Sequence, residues 1–577
     1  MGTILNPKAD NGSENLFLKL FNNRKNGAFA DKTDFISETI DRLDSPRKLI
    51  LFARPPRFGK TVMAEMLACY YSKGSDCKNV FSGLKVSGYA GTEGFRGRKR
   101  KITYEEHLNK RNVIYWDMNS IDHDFRACKS DGSLPADYAD DIVDYLQYVT
   151  LLELRQNREF DEKIRKASMI GRKSLKRALA ATEAKFVLIM DDWDLIFRKY
   201  RDDEVLQKKF MDMLVGLFKA SSGLSCFSLA YLTGVLPIKK DDSQSGLNNF
   251  DEYSMLTPGQ FVPWFGFTEE DVAEICRLPG CSVPQEDLRE WHGGYKIRMF
   301  DKNLGDYRDA NVYCPVSVSR AVSENQCSAY WSNSFADEEA SRLINMDFAG
   351  LRDDIINLIS GSSVLFDYLT FQNDMTSIDN KDQVFSLLVC LGYLGCGKLA
   401  NAGDDSYAYV PNREIRETLI DIVKGQPWYS SLPVVDRSEK LFQAISSLDA
   451  AKTAEIMGSI HNSPDAAAIG YNREDSLAFC LMSGFIWGAE NSYDSFRELP
   501  AGKGFADLVF VPKSRPNLPI IIAEFRRDCS PEDALNHLKE QDYAAKYRKD
   551  GDERDVLLIG LSYSSKTKEH QCRIEKM

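Results

Sequence analysis

The sequence predicts an α/β fold that is divided among several domains. Two continuous apolar runs, 49–53 and 186–190, have the composition of strands buried on both faces of a parallel sheet. The first run leads through a short loop into Met63, Leu67 and Tyr70, which recur at helical spacing. The length of 577 residues also exceeds what one hydrophobic core normally supports.

The loop after the first strand reads Arg54-Pro-Pro-Arg-Phe-Gly-Lys-Thr61. Gly-Lys-Thr at the start of a helix is typical of a P-loop, which binds the phosphates of ATP or GTP. In a P-loop, backbone amides surround the phosphates, Lys60 reaches the β and γ oxygens, and Thr61 binds Mg²⁺. The motif therefore assigns Arg57, Gly59, Lys60 and Thr61 to cofactor binding, with ATP and Mg²⁺ as the cofactors.

The loop departs from the standard G-x-x-x-x-G-K-[ST] pattern at its beginning. Arg54 occupies the first glycine position, and Pro55 and Pro56 remove two backbone donors. A stiff surface turn before an ordinary helix is the alternative interpretation of residues 54–57. The acidic strand that follows in the chain favours the P-loop.

The second apolar run ends in Met-Asp-Asp-Trp-Asp194, which resembles a Walker B strand. Asp191 is predicted to hold Mg²⁺ through its water shell, and Asp192 to act in catalysis by orienting or activating the attacking water. An edge strand that ends in solvated acids is the alternative. A third strand-like run, 225–232, precedes Thr233, which we expect to contact the γ-phosphate between the two Walker elements.

Five motifs follow one another in a characteristic order. They are Phe29-Ala-Asp-Lys-Thr33, Arg54-Pro-Pro-Arg-Phe-Gly-Lys-Thr61, Thr233-Gly-Val-Leu-Pro-Ile-Lys-Lys240, Ser245-Gly-Leu-Asn-Asn249 and Phe265-Gly-Phe-Thr-Glu-Glu270. In this order they resemble the AAA-ATPase-like family, and the resemblance spans nearly the whole chain. It implies a P-loop NTPase (AAA-like) parallel sheet with a helical lid. Members of the family typically add a C-terminal domain that resembles PD-(D/E)xK nucleases, and residues 471–574 look like that α/β restriction-endonuclease-like domain.

The C-terminal segment carries two acids on neighbouring strand-like runs. A turn-rich connector separates runs 505–511 and 519–526, which predicts a hairpin in which Asp507 lies opposite Glu524. In a PD-(D/E)xK site, two such acids bind a divalent ion that activates water, with a lysine as electrostatic partner. The resemblance therefore implies that Asp507 and Glu524 are metal ligands and catalytic residues.

Three further residues bear on this predicted nuclease site. Glu474 corresponds to the additional metal-binding acid that similar domains supply from their first helix. Arg526 stands in the lysine position, where it keeps the positive charge of a catalytic cation but cannot act as a base. His537 stands where the family usually has glutamine. An active nuclease, a pseudonuclease that binds nucleic acid and a structural domain all remain as alternatives.

The middle of the chain predicts a lid and a second small module. Thr268 caps a predicted helix that runs to Leu278 and has acids in its first turn. An apolar helix over 383–394 precedes a predicted β-hairpin that ends at Tyr409, and Asn412 caps the next helix. Helix followed by hairpin is typical of a winged-helix-like module, which binds DNA or packs against protein.

These features divide the chain into five parts. They are an N-terminal extension (1–25), a P-loop AAA-ATPase-like domain (26–260), a helical lid (261–345), a helical or winged-helix-like module (346–462) and a PD-(D/E)xK nuclease-like domain (463–577).

The net charge of −11 gives no overall attraction to nucleic acid, so DNA or RNA would have to bind at local basic patches. Basic residues concentrate at 96–101, along a predicted helix over 163–177, and at 546–549. An exposed loop and a solvated helix face are the alternatives for the first two. The helix could also supply a cation to the nucleotide of a neighbouring subunit, which makes a homo-oligomer a further candidate assembly.

Several sequence features predict a cytoplasmic protein without a membrane partner. No run reaches the roughly 20 apolar residues of a membrane span, and the first residues lack the core of a signal peptide. The thirteen cysteines include no C-x-x-C pair, which suits a reducing compartment.

Taken together, the motifs predict an ATPase, a hydrolase, that is coupled to a nuclease-like domain. That domain would bind nucleic acid or cleave it, and cleavage would depend on a metal ion. The alternative is an ATP-dependent switch or scaffold in which an inactive pseudonuclease domain binds nucleic acid or protein.

Overall fold

A computed structural model describes most of the chain. The described residues are 4–8, 15–25, 27–95, 98–134, 140–167, 174–219, 224–238, 247–301, 306–331, 335–359, 361–368, 371, 378–398, 406–426, 433–461, 493–501, 504–512, 518–540 and 554–577. They form two compact units. The first unit comprises 1–349 and 365–419, and the second comprises 350–364 and 420–577.

The described strands are β1 (Leu49–Ala53), β2 (Ala90–Phe95), β3 (Arg98–Thr103), β4 (Asn112–Asp117), β5 (Phe186–Asp191), β6 (Phe227–Gly234), β7 (Asp251–Tyr253), β8 (Phe267–Thr268), β9 (Tyr295–Asp301), β10 (Asp306–Tyr313), β11 (Val364–Phe366), β12 (Gly395–Lys398), β13 (Ser406–Tyr409), β14 (Tyr493–Ala501), β15 (Gly504–Pro512), β16 (Ile520–Arg527), β17 (Val556–Tyr563) and β18 (His570–Lys576).

The described α-helices are α1 (Leu16–Asn22), α2 (Phe35–Ile40), α3 (Lys60–Tyr71), α4 (Lys78–Phe81), α5 (Met118–Asp131), α6 (Ile142–Gln156), α7 (Arg158–Lys166), α8 (Leu175–Ala181), α9 (Leu195–Lys199), α10 (Glu204–Phe218), α11 (Glu269–Ile275), α12 (Gln285–His292), α13 (Pro315–Glu324), α14 (Phe335–Ile344), α15 (Leu351–Ile359), α16 (Lys381–Leu391), α17 (Arg413–Lys424), α18 (Pro433–Ser446), α19 (Ala450–His461) and α20 (Pro531–Glu540). Short 3₁₀ helices cover Lys85–Gly88, Tyr104–Glu106 and Val262–Trp264.

The first unit is built on a parallel sheet of five strands in the order β4-β5-β6-β1-β7. Strands β5 and β6 are buried along their whole length, as their continuous apolar composition predicts. Leu49 and Leu51 of β1 pack into one apolar cluster, whereas Ile50 and Phe52 pack into the cluster on the opposite face. The predicted α/β fold with a parallel sheet is confirmed, and the sheet is consistent with a P-loop-like domain.

The predicted lid helix begins where its capping residue indicates. The Thr268 hydroxyl accepts from the amide of Asp271, and the Asp271 carboxylate accepts from the amide of Thr268, which is a capping box. The resulting helix, α11, ends at Ile275, three residues before the predicted end at Leu278. Strand β8 precedes α11 in the chain, and β9 and β10 follow it. The three strands form an antiparallel sheet in the order β8-β10-β9.

The predicted helix and hairpin of the middle module are also present. Helix α16 precedes the antiparallel pair β12 and β13, and the Asn412 side chain accepts from the amide of Ile415 at 3.0 Å. Gly294 has a φ of +83°, and a Cβ there would lie 1.8 Å from the Pro411 carbonyl oxygen. The chain therefore needs glycine at Gly294 so that the two β-hairpins can approach each other.

The second unit contains a mixed sheet in the order β14-β15-β16-β17-β18. Strands β16 and β17 are parallel, and the other neighbouring pairs are antiparallel. Leu535 and Leu538 of α20 pack on one face of the sheet, and Leu441 and Met457 of α18 and α19 pack on the other. The predicted β15–β16 hairpin is confirmed, whereas the restriction-endonuclease-like identity stays a prediction.

The basic patches differ from the sequence-based expectations. Residues 98–103 form strand β3, which pairs with β2, so the described part of this run is a strand and not a loop. The predicted basic helix over 163–177 is wrong in its extent, because α7 ends at Lys166 and Ala167 adopts an extended conformation. Residues 168–173 and the third patch, 546–549, lie outside the described residues.

None of the described helices is long and apolar enough to cross a membrane.

Candidate functional site

The loop between β1 and α3 has the backbone geometry of a tight turn into a helix. Arg57 and Gly59 both have positive φ, +68° and +84°. At Gly59 a Cβ would meet no atom within 4 Å, so the left-handed backbone rather than limited space favours glycine. Helix α3 begins at Lys60, and its free amides lie at the loop, where they favour an anion.

Lys60 is almost fully buried at the base of this loop. Its Nζ donates a hydrogen bond of 2.9 Å to the carbonyl oxygen of Pro55. Burial lowers the pKa of Lys60, and the nearby Asp192 and Asp191 carboxylates oppose that shift. A single neutral carbonyl is a weak partner for a buried ammonium, so Lys60 is prepared to bind a stronger anionic acceptor.

Arg54, in the first glycine position of the motif, is fully buried beneath the loop. Its guanidinium donates to the carbonyl oxygens of Ala53 and Tyr253, at 3.0 and 3.1 Å, and lies 5.3 Å from the centre of the Phe265 ring. Burial lowers the pKa of Arg54 to about 10. The arginine that replaces the first glycine of the motif therefore extends into the core and does not obstruct the phosphate loop.

Arg57, predicted to bind the cofactor, contacts a more distant part of the first unit. Its guanidinium donates to the carbonyl oxygen of Tyr330, in the segment after α13. The loop is thus attached to the lid region through Arg57. Its role in nucleotide binding stays a prediction.

Asp191 lies at the end of β5 and is 2% exposed. The Thr61 side chain lies close enough to this carboxylate to lower its pKa, which brings the two sequence motifs together. Burial and the neighbouring charge of Asp192 raise the pKa of Asp191 to about 8, although Thr61 and Lys60 act in the opposite direction. Among the described residues, Oδ1 of Asp191 has no hydrogen-bond partner. A buried carboxylate oxygen beside a threonine hydroxyl fits Mg²⁺, which prefers oxygen ligands.

Asp192 follows in a left-handed conformation, with a φ of +55°. Its carboxylate accepts from the Asn119 side chain and pairs with Arg198 at 3.2 Å. Arg198 also pairs with Asp194, whose buried carboxylate accepts from the amides of Val235 and Leu236 at 3.0 and 2.8 Å. These contacts fix Asp192 at the carboxyl edge of the sheet.

Sequence reasoning missed Asn119, Arg198 and Asp194 as parts of this site. A signal existed for Asn119, because it follows β4 and the carboxyl ends of parallel strands meet at one edge. No comparable signal marks Arg198, which reaches the acids from helix α9.

Thr233 is the penultimate residue of strand β6, which lies between β5 and β1. Thr233 therefore lies between the two strands that carry the sequence motifs. Its hydroxyl is buried and donates to the carbonyl oxygen of Phe52 at 3.1 Å. The predicted contact with a γ-phosphate stays a prediction.

A cleft of about 470 Å³ opens beside the loop. It is lined by Arg57, Phe58, Gly59, Lys60 and Thr61 and by apolar side chains that include Phe17, Phe29, Met66, Trp264 and Val316. Its volume is within the range of small-molecule sites, and it combines an apolar wall with one polar end.

The second unit brings three predicted residues together. Glu524, in β16, is 2% exposed. Its Oε1 lies 2.6 Å from Nη2 of Arg526 and 3.0 Å from Nδ1 of His537, which is on α20. Both departures from the nuclease pattern therefore contact the same carboxylate.

The backbone places Asp507 on β15, next to this carboxylate's strand. Leu508, which follows Asp507, is registered with Ala523, which precedes Glu524. Glu474 lies outside the described residues. In the part of the chain that is described, no group of three or more His, Cys, Asp or Glu side chains could hold a metal.

Comparison with known proteins bears on the first of these sites. Residues 17–243 match the family model described as Predicted AAA-ATPase. The match includes β1, the Gly59–Thr61 loop, and the β5 and β6 strands. The match to an AAA-ATPase-like domain supports nucleotide binding.

An uncharacterized protein in the vnfD 5′ region of Azotobacter chroococcum mcd 1 is also similar to the chain. The two are 24% identical over 160 residues, which cover 27% of this chain and 28% of that protein. The chain therefore spans little more than a quarter of that relative's length, and the relative's name states no activity.

Proposed function

We propose that the first unit binds Mg²⁺–ATP and hydrolyses it. The observation that carries this proposal is that the Thr61 side chain lies beside the buried Asp191 carboxylate, so that the helix start of one motif meets the strand end of the other. Thr61 and Asp191 would hold Mg²⁺, which neutralises charge on the phosphates. Lys60 would move from the Pro55 carbonyl to a phosphate oxygen, a charged and stronger acceptor.

The other residues of the site position the reacting groups. Asp192, held by Asn119 and Arg198, would orient the attacking water near the end of the phosphate chain. The apolar wall of the neighbouring cleft, which includes Phe29 and Met66, would cover the base of the nucleotide. Apolar side chains suit a flat aromatic base because binding removes its faces from water.

Replacement of Lys60 by alanine tests this function. We expect Lys60→Ala to reduce ATP hydrolysis by about 100-fold or more, because a buried positive charge at the phosphates is lost. Binding of a fluorescent ATP analogue and phosphate release would both be measured. Lys73→Ala, at an exposed lysine just after α3, is the control and should keep wild-type turnover. Equal turnover in wild type and Lys60→Ala would refute the proposal.

We further propose that the second unit is a nuclease-like domain that binds nucleic acid without cleaving it. The supporting observation is that Arg526 and His537 both contact Oε1 of Glu524. A guanidinium at 2.6 Å compensates the charge that would otherwise attract a divalent cation. Cleavage is the second candidate, because Asp507 and Glu524 are both present on adjacent strands.

Restoring the family's residues distinguishes binding from cleavage. We expect the wild type to bind labelled DNA or RNA without cutting it in Mg²⁺ or Mn²⁺. We expect Arg526→Lys combined with His537→Gln to gain metal-dependent cutting, since the smaller cation frees the carboxylate for a metal. Adding Asp507→Ala should abolish the gained activity. Cutting by the wild type that Asp507→Ala removes would establish the nuclease alternative instead.

A further inference from the structure

A second cleft of the first unit has the chemistry of a site for an unpaired polynucleotide. It measures about 620 Å³ and lies between the edge strand β7 with its following loop and the hairpins β9–β10 and β12–β13. The three motifs of the nucleotide site contribute nothing to its lining. We propose that this cleft, called here the tyrosine cleft, binds a short segment of single-stranded DNA or RNA.

The charges in the tyrosine cleft are opposite to the protein's overall charge. Lys296 and Arg298 of β9 and Lys398 of β12 are exposed there. Lys296 and Arg298 alternate along one strand, so they project from the same face of the hairpin. Asp309 is registered opposite Arg298, and the other acid of the lining, Glu252, accepts from the amide of Ile238 at 2.9 Å.

A fourth cation, Arg47, lines the opposite wall. It pairs with Asp251 at 2.7 Å and donates to the Tyr253 hydroxyl at 3.3 Å. The lining therefore contains four cationic and two acidic side chains, in a chain with a net charge of −11. A local excess of positive charge of this kind attracts a polyanion.

Three tyrosines distinguish this cleft from a simple anion site. Tyr253, Tyr368 and Tyr407 all line it; Tyr253 and Tyr407 are half-buried, whereas Tyr368 is only 8% exposed. The Tyr407 ring lies over its cross-strand partner Gly397, where a Cβ would be 2.2 Å from Cζ of that ring. Nζ of Lys398 lies 5.5 Å from the centre of the Tyr368 ring, so Tyr407 is the tyrosine best placed to stack on a base.

Single-stranded nucleic acids are bound by this combination of groups. Basic side chains follow the phosphates, while aromatic rings stack on bases whose faces are not covered by pairing. A duplex presents its phosphates but hides the base faces, so it could use only the charges. Tyrosine rings beside lysines therefore favour a single strand over a duplex.

The inference rests on the proposed function, because it gives the nucleic acid a binding site in the first unit in addition to the second. The tyrosine cleft is also connected to the nucleotide loop by a hydrogen bond. Arg54, the first residue of that loop, donates to the carbonyl oxygen of Tyr253, which lines the tyrosine cleft.

The test is fluorescence anisotropy of the full chain with labelled oligo(dT) and oligo(rU) of about 12 nucleotides, within the footprint of single-strand binding proteins. We expect Lys296→Glu combined with Lys398→Glu to weaken binding at least about tenfold and to reduce its dependence on salt. Lys73→Glu combined with Lys208→Glu makes the same change of charge at exposed residues outside the cleft and should stay within about twofold of wild type.

A second pair of variants tests stacking rather than charge. Tyr407→Phe keeps the ring and should bind like wild type, whereas Tyr407→Ser should bind about tenfold more weakly. Retained ATP hydrolysis in each variant would show that the first unit is folded. A duplex of equal length, or polyglutamate of equal charge, that binds as tightly as oligo(dT) would overturn the assignment to a single strand.

The outcomes separate this inference from the proposed function. Loss of oligonucleotide binding in Arg526→Ala but not in the cleft variants would leave the second unit as the binding site and overturn the tyrosine cleft. No binding by the wild type would overturn both nucleic-acid proposals, whereas ATP hydrolysis would still report on the nucleotide site.

Discussion

Replacing Asp191 by asparagine is expected to abolish ATP hydrolysis while stabilising the nucleotide-free protein. The buried carboxylate is the proposed Mg²⁺ ligand, and an asparagine side chain offers only a neutral oxygen to the ion. Because a bound metal supplies several kcal/mol of charge stabilisation in phosphoryl transfer, hydrolysis should fall about 100-fold or more. Without Mg²⁺–ATP, however, burial of a negative charge destabilises the folded protein, and asparagine carries no charge.

The stabilisation should grow as the pH rises. The pKa of Asp191 is raised from 3.8 to about 8 in the folded protein, mainly by burial. Between these two values the folded state holds a proton that the unfolded state has released, so stability falls with rising pH. Asparagine does not titrate. The free energy of unfolding of Asp191→Asn relative to wild type should therefore increase by up to about 1.4 kcal/mol per pH unit in that interval.

Thermal unfolding of wild type and Asp191→Asn at about pH 6 and about pH 8, without nucleotide, would measure this difference. Asp212→Asn, at an exposed position of α10, makes the same substitution outside the site and is the matched control. A difference between wild type and Asp191→Asn that stays constant across this interval would contradict the raised pKa. Hydrolysis unchanged in Asp191→Asn would contradict the assigned role in metal binding.

The sequence predicted those parts of the site that depend on local order along the chain. A buried strand, a Gly-Lys-Thr turn and an apolar helix face are each set by near neighbours, and β1, Gly59 and α3 occur where expected. Strand β5 ends at Asp191 for the same reason. Periodicity and capping likewise indicated α11 and the hairpin of β12 and β13.

Contacts between distant segments could not be predicted in this way. Arg54 appeared to disturb the phosphate loop, but it is accommodated because Tyr253 and Phe265, some 200 positions later, surround it. The motif pattern placed Arg526 and His537 in one small site, but it could not show that both contact Oε1 of Glu524. The extent of the basic helix was overestimated because charge alone does not show where a helix ends.

The largest loss of stability is expected from Glu414→Ala, because this residue of α17 is buried against the lid region. The Glu414 carboxylate accepts from Ser317 at 3.0 Å and from the amide of Tyr330 at 2.6 Å, and it lies 3.0 Å from Nδ1 of His292. Neither His292 nor Glu414 is more than 1% exposed. Removing one member of such a buried cluster leaves the others without a partner and typically costs about 3–5 kcal/mol.

Differential scanning calorimetry of the full chain would detect this loss as a lower midpoint of the transition, by at least about 5 °C. Glu414→Gln should recover much of it, because an amide of the same shape can still accept from Ser317 and Tyr330. Glu417→Ala, one turn further along α17, removes a half-buried pair with Arg413 and should cost about 1 kcal/mol or less. Equal effects of Glu414→Ala and Glu417→Ala would refute the central role of this carboxylate.

The same variant should also weaken ATP binding, although Glu414 is not part of the nucleotide loop. The Tyr330 amide donates to Glu414, and the Tyr330 carbonyl accepts from Arg57 of the loop. Loss of the carboxylate frees one end of this short connection and lets Arg57 and its turn adopt other conformations, which reduces preorganisation for binding. A lower affinity for ATP in Glu414→Ala, with recovery in Glu414→Gln, would show that the lid region holds the loop in its binding conformation.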